Sequence, residues 1–184
     1  YEYTRAPEST NMHRNIIFRD SNVIEQPLTG YEVANPGDIY AALAEQCLDA
    51  GRHCDVISIP HNSNWSNGNM FFVDPDSGRS LQQEKEQASL RAELEPIFEI
   101  FQHKGGGECS NGLSGIIGAE DELCDFEKLR RDVVDCGEGT GFGGTGGVGC
   151  VSRLDFLRGI LLKGFKEKRR LGINPYPLGV IAST

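Results

Sequence analysis

VISIPHNSN, residues 56–64, is the stretch of this chain that most directly predicts its fold. A short β-branched run from Val56 to Pro60 ends at His61, where polar residues begin. Such a run is typical of a buried parallel strand, and in an α/β barrel the end of that strand brings a side chain to the mouth of the barrel. His61 is therefore a candidate for metal or acid/base chemistry. The alternative is a histidine that only caps the following turn.

The segments on either side of this stretch alternate between strand and helix patterns. Strands are expected at 15–18, 56–60, 97–101 and 178–182, and helices at 81–94, at 151–171 and from Asn35-Pro36 to Gly51. This alternation predicts an α/β protein with a parallel sheet. We expect a portion of a distorted, TIM-like parallel α/β barrel.

Polar residues at the ends of parallel strands would share one site in such a barrel, because those ends meet on one face. The sequence offers four groups of this kind: Glu2, His61, Gln102 with His103, and Ser183 with Thr184.

Length and charge limit the classes of function. The chain has 184 residues, of which 38% are hydrophobic, so we expect one domain over residues 1–184. A net charge of −9 disfavours nucleic acid as a partner. No apolar run approaches the roughly 20 residues that cross a bilayer, so no membrane partner is expected. Both ends fall inside strand-like sequence, and we expect a fragment of a longer protein.

A glycine-rich stretch at about 104–150 lacks periodicity and is predicted to be a long insertion. It holds four of the six cysteines, which follow one another as Cys47 and Cys54, Cys109 and Cys124, and Cys136 and Cys150. Each of these consecutive pairs flanks a loop that a disulfide could close, which favours a periplasmic or secreted protein. Order alone does not settle the pairing, and buried free thiols are the alternative.

Three residues are candidate metal ligands: Glu2, His13 and His61. A catalytic metal centre uses imidazole nitrogen and carboxylate oxygen and leaves one coordination position open for water. Their spacing matches no regular motif. Taken singly, Glu2 and His13 could equally be solvated surface residues.

Six motifs in order give the chain a family resemblance. They are YEYT at 1–4, NMHRNIIFR at 11–19, IPHN at 59–62, QHKG at 102–105 with Glu108-Cys109, DELCDFE at 121–127 and GVIAST at 179–184. Together they resemble the family named domain of unknown function 3604. That family is similar to the polymerase and histidinol phosphatase (PHP) superfamily of metal-dependent hydrolases.

The resemblance implies a PHP-type barrel with divalent metal ions, either Zn, Mn or Fe, and assigns Glu2, His13 and His61 as metal ligands. The superfamily's opening His-x-His pair and closing Asp-x-His pair have no counterpart here. We therefore expect that the remainder of the polypeptide completes the centre, and that this fragment alone is inactive or poorly metallated.

A second group of candidates follows the third expected strand. His61, His103 and Lys104 are candidate catalytic residues, and Arg14, Lys104 and Glu108 are candidate substrate-binding residues. The cations would compensate the charge of a small anionic substrate. By analogy with the superfamily, that substrate is a phosphoester attacked by metal-activated water. The alternative is a solvated loop with ordinary charges.

A rival interpretation belongs to a different functional class. In it the protein is a secreted binding or scaffold module, three disulfides hold its long loops, and the histidines have no catalytic role.

Overall fold

The computed structural model describes residues 1–34, 37–51, 53–73, 77–113, 120–130 and 134–182. Its helices are α1 (Ile39–Leu43), α2 (Leu81–Leu94) and α3 (Leu157–Leu171). Its strands are β1 (Glu2–Tyr3), β2 (Arg14–Phe18), β3 (Val56–Pro60), β4 (Ile97–Glu99), β5 (Phe101–Gln102), β6 (Gly105–Gly106), β7 (Val134–Asp135), β8 (Cys150–Val151) and β9 (Gly179–Ile181).

The longest strands form an antiparallel sheet in the order β1, β2, β3. β2 and β3 pair along their whole length, from Arg14 opposite Pro60 to Phe18 opposite Val56. The intervening residues 19–55 leave and re-enter the sheet at the same end, where the N–H of Arg19 donates to the carbonyl of Asp55 over 3.0 Å. A connection of this kind reverses the strand direction, whereas a parallel crossover returns to the opposite end of the sheet.

The predicted parallel barrel is therefore wrong. β3 is buried as expected, but burial did not reveal the direction of its partner. In the part of the chain that the structure describes, parallel pairing is limited to two short ladders, β4 with β9 and β7 with β8, and β5 and β6 form a small hairpin. Within the described ranges these ladders do not join into a closed sheet.

The helices follow the local sequence signals closely. α2 spans the predicted residues and begins at a capping box, in which Ser80 and Gln83 hydrogen-bond each other's backbone N–H. α3 begins later than predicted and ends at Gly172, whose φ of 81° suits glycine. α1 continues as a π-helical turn, Ala44–Leu48. The predicted helix start at Asn35-Pro36 lies outside the described residues.

Two apolar clusters hold these elements together. The first packs the antiparallel sheet against α1 and the end of α2, and its members include Tyr3, Ile16, Ile39, Leu43, Val56 and Leu94. The second packs β4 against α3, and its members include Met12, Met70, Phe71, Phe98, Leu154, Ile160 and Tyr176.

A buried ion-pair network joins the sheet to α2. The carboxylate of Glu95 is fully buried and accepts from the Arg14 guanidinium at 2.9 Å and from the Arg91 guanidinium at 2.8 Å. The Tyr40 hydroxyl also donates to Glu95, at 2.5 Å. Although burial favours the neutral acid, the two guanidinium groups hold the pKa of Glu95 below its usual range.

The cysteines form three disulfides: Cys47 with Cys54, Cys109 with Cys124, and Cys136 with Cys150. The consecutive pairs of the sequence are thus the pairs in the structure. Three disulfides indicate that the protein folds in an oxidising compartment. Among the helices of the described residues, none is long and apolar enough to span a bilayer.

Asp155, just before α3, fixes the loop that follows β3. Its buried carboxylate accepts hydrogen bonds from the Ser66 hydroxyl at 2.7 Å, the Gly68 N–H at 2.7 Å and the Ser152 N–H at 3.1 Å. Burial raises the pKa of Asp155 to about 6, against the effect of these three donors. The loop after His61 is therefore held to the start of α3.

Candidate metal centre

Three polar residues come together at one end of the antiparallel sheet. Glu2 lies in β1, His13 immediately precedes β2, and His61 immediately follows β3. Because β2 and β3 are antiparallel, the start of one lies beside the end of the other. The N–H of His61 faces the carbonyl of His13 at 3.4 Å. The sequence predicted that Glu2 and His61 meet at a barrel mouth, whereas strand reversal brings all three residues together.

The donor atoms of these three side chains converge on one point. One carboxylate oxygen of Glu2 lies 2.6 Å from Nδ1 of His13 and 3.3 Å from Nε2 of His61. The two imidazole rings are 5.9 Å apart between centroids and nearly perpendicular, at 81°. One ligand atom from each residue lies within 4.8 Å of the other two. This arrangement of two nitrogens and one oxygen suits a divalent metal ion.

The local electrostatics favour the protonation states that metal ligands need. Burial lowers the pKa of both His13 and His61, although the neighbouring Glu2 opposes this effect. The pKa of Glu2 is lowered because the two imidazoles outweigh its partial burial. Neutral imidazoles and an ionised carboxylate are the forms that bind a metal. The three residues therefore fit a divalent ion by donor chemistry as well as by position.

Asn11 holds the two histidine segments together. Its carboxamide nitrogen donates to the carbonyls of His61 and Asn62, both at 2.9 Å, and its carboxamide oxygen accepts from the N–H of His13 at 3.0 Å. The side chain is 3% exposed. Asn11 therefore sets the separation between the residues that carry the two imidazoles.

The role of Asn11 was not predicted from the sequence, although a local signal for it is present. Asparagine side chains commonly accept from the backbone N–H two residues later, and Asn11-Met12-His13 matches that turn. The bonds from Asn11 to His61 and Asn62 cross about 50 residues of sequence, and no local pattern could predict them.

We expect Asn11→Ala to lower the free energy of unfolding by about 2–3 kcal/mol, because three buried hydrogen bonds are lost and their backbone partners stay buried. Urea denaturation at pH 7 measures this. Asn22→Ala is the matched control, since Asn22 is exposed, and it should change the unfolding free energy by less than about 0.5 kcal/mol. Equal losses in the two variants would contradict the role given to Asn11.

Two polar groups beside the cluster have no hydrogen-bond partner among the described residues. They are Nδ1 of His61 and the whole carboxamide of Asn62. Both residues are buried, and Asn62 adopts a left-handed conformation with φ of 54°. Buried polar groups usually have partners, so these atoms retain hydrogen-bonding capacity for a ligand or solvent.

Lys104 and His103 form the turn between β5 and β6. The Lys104 ammonium lies 5.8 Å from the centroid of the Trp65 ring. Its backbone carbonyl accepts from the Asn64 side chain at 2.9 Å. The charge of Lys104 contributes to lowering the pKa of His13. His103 is exposed.

Arg14 and Glu108, the other two predicted substrate-binding residues, are engaged elsewhere. Arg14 is 1% exposed, and its guanidinium is committed to Glu95 and to backbone carbonyls. Glu108 accepts from Arg158 at 2.7 Å, and Arg158 also donates to Asp121 at 2.9 Å. The structure therefore does not bring either side chain to the histidine cluster. Ser183 and Thr184 lie outside the described residues.

A second group of residues with side chains that can bind metals lies close together because of a disulfide. Cys109, Asp121 and Cys124 also lie close together. The two sulfur atoms are joined in a disulfide, so neither is a thiolate that could bind a metal.

Comparison with known proteins gives a family but no established activity. A family model described as "Protein of unknown function (DUF3604)" matches residues 1–184. Over 118 residues, 59% of the chain, the sequence is 26% identical to a protein of Gibberella zeae described as cytochrome P450 monooxygenase dpfgJ. The aligned part spans 24% of that relative. No solved structure matches the chain.

Proposed function

The chain belongs to the DUF3604 family of proteins of unknown function, and from this premise we propose that Glu2, His13 and His61 bind a divalent metal ion in a hydrolase. The observation that supports the proposal is the convergence of two imidazole nitrogens and one carboxylate oxygen within 4.8 Å of one another. Two histidines and one carboxylate form a common ligand set of catalytic zinc and of non-haem iron. Manganese is the third candidate.

Hydrolysis fits this ligand set because three protein ligands leave a coordination position open. When bound, a divalent ion supplies Lewis acidity, which lowers the pKa of a coordinated water and offsets negative charge on the substrate. The chain's own residues would have separate tasks. Asn11 holds His13 and His61 at their separation, and the Asn62 carboxamide offers a donor and an acceptor beside them.

A phosphoester is the substrate class that we propose. The Lys104 ammonium, partly exposed in the turn between β5 and β6, would bind and orient an anionic group. His103, exposed in the same turn, would exchange a proton with the leaving group or with solvent. The three disulfides further support a periplasmic or secreted location for this enzyme.

The alternative is a secreted binding module without catalysis, and the three disulfides favour it as much as they favour an exported enzyme. A haem protein, which the name of the Gibberella zeae relative suggests, has less support. The iron of P450 haem is held by a cysteine thiolate, whereas all six cysteines of this chain are paired in disulfides.

Metal binding tests the proposed centre. The protein is stripped with a chelator and titrated with Zn²⁺ or Mn²⁺ by calorimetry, and its metal content is measured by mass spectrometry. We expect His61→Ala and His13→Ala to weaken binding by at least roughly 100-fold, since each removes a direct ligand. His53→Asn is the control, because His53 is exposed, follows no strand end and has a φ of 55° that asparagine tolerates.

Equal affinity in wild type, His61→Ala and His13→Ala would contradict the metal centre. Turnover of 4-nitrophenyl phosphate and bis(4-nitrophenyl) phosphate then tests the reaction. Lys104→Met should raise KM by roughly 10-fold because a charge-assisted contact is lost, whereas Lys168→Met, on the exposed end of α3, should not. Because the remainder of the polypeptide is expected to complete the centre, turnover is measured with the full-length protein. Metal binding without turnover of either ester there would favour the binding module.

A further inference from the structure

A cleft lies apart from the histidine cluster, between the start of β2, α2 and the end of α3. Its volume is about 510 Å³, within the usual range of small-molecule sites. Glu2, His13 and His61 do not line it. Its wall contains one carboxylate, that of Glu84, together with four arginines and two tyrosines: Arg14, Arg79, Arg91, Arg170, Tyr40 and Tyr176. We propose that this cleft binds a small organic anion with an apolar body.

The buried floor of the cleft carries excess positive charge. The guanidinium groups of Arg14 and Arg91 are both held by the single carboxylate of Glu95. Tyr40, the fourth member of the network, is a neutral hydroxyl, because burial raises its pKa well above the usual value. Among the described residues of this network, two cations against one anion leave one positive charge uncompensated. Buried charge is costly without a counter-charge, and an anion in the cleft would supply one.

Arg79 is the cation at the rim that is available for direct contact. Among the described residues, the carboxylate that pairs with it is that of Asp38, 3.9 Å away, and the Arg79 side chain is 31% exposed. Arg170, in contrast, contacts both Glu84 and Glu167. Arg79 can therefore turn its planar guanidinium toward a carboxylate or phosphate group without breaking a close ion pair.

The apolar part of the wall indicates which kind of molecule carries the anionic group. Met12, Phe72, Val73 and Pro175 line the cleft together with the two tyrosines. Tyr176 is held in place, since its hydroxyl donates to the carbonyl of Phe71 at 2.7 Å. Aromatic and aliphatic walls with a few convergent cations are the composition of sites for amphipathic small molecules. The cleft therefore fits an aromatic or aliphatic acid better than an inorganic ion.

Calorimetric titration with three probes tests this site: 2-naphthoate, 2-naphthyl phosphate and the neutral 2-naphthalenemethanol. We expect both anions to bind more tightly than the neutral probe and more weakly as salt is raised. Whichever anion binds more tightly identifies the charged group. Arg79→Gln should weaken anion binding by roughly 10-fold, the loss of one charge-assisted contact. Arg169→Gln, an exposed arginine of α3 outside the cleft, should leave it unchanged.

Chelation of metals and the His61→Ala variant distinguish this site from the proposed metal centre. Neither should alter binding of 2-naphthoate, because the cleft does not include the histidines. The probe 2-naphthyl phosphate is itself a phosphoester, so it is titrated only into the chelated His61→Ala variant. Three results would overturn the proposal: no binding of either anion at millimolar concentration, equal binding of the neutral probe, or equal affinity in Arg79→Gln and wild type.

Discussion

Glu95→Gln should lower the free energy of unfolding by about 3–5 kcal/mol, the usual cost of removing one partner from a buried ion pair. Glu95 is fully buried and bonded to the guanidinium groups of Arg14 and Arg91 and to the Tyr40 hydroxyl. A neutral amide in its place leaves two buried guanidinium groups without a counter-charge. It also adds an N–H donor that faces groups which are themselves donors.

Urea denaturation followed by circular dichroism measures this change, and thermal unfolding should shift by roughly 10 °C for a chain of this size. Glu93→Gln is the control, because Glu93 is an exposed residue of the same helix. Its effect should stay within about 0.5 kcal/mol. If Glu95→Gln were as stable as Glu93→Gln, the network would not contribute to the stability of the fold.

Loss of the disulfides should have the other large effect. A disulfide that closes about 15 residues contributes about 3 kcal/mol by restricting the unfolded chain. The bridges from Cys109 to Cys124 and from Cys136 to Cys150 span 15 and 14 residues, and the bridge from Cys47 to Cys54 spans 7. Reduction of all three removes stability comparable with the total of a typical domain, about 5–15 kcal/mol. We therefore expect the reduced protein to be largely unfolded at 37 °C.

Thermal unfolding with and without a phosphine reductant measures the total effect. Paired replacement by alanine separates the bridges: Cys109→Ala with Cys124→Ala should cost about 3 kcal/mol, and Cys47→Ala with Cys54→Ala about 2 kcal/mol. A cooperative transition that is unchanged by complete reduction would contradict both the predicted loss and the structural importance of the bridges.

The fold was only partly predictable from local patterns. The α2 helix was predicted over the residues that it occupies, and in the structure a local capping box of Ser80 and Gln83 fixes its start. The strand at Val56–Pro60 was also correct. The direction of this strand relative to β2 was predicted wrongly. An apolar run indicates that a strand is buried, but it does not indicate the direction of the neighbouring strand.

The candidate site was also only partly predictable from the sequence. Glu2, His13 and His61 were selected from donor chemistry and family resemblance, and the structure places them within contact of one another. Arg14 illustrates the limit, because its charge suggested substrate binding while the fold commits it to Glu95, 81 positions away along the chain. The partners of a charged side chain depend on distant residues that no spacing reveals.

Sequence by itself determined the features that depend on neighbours along the chain: where α2 begins and where α3 ends before Gly172. Tertiary structure alone decided that β2 runs against β3, that Asn11 joins the segments of His13 and His61, and that two arginines share one buried carboxylate. The reason is physical. Helix caps and short loops are closed by local contacts, whereas strand direction and buried charge pairing depend on the packing of residues that are far apart in sequence.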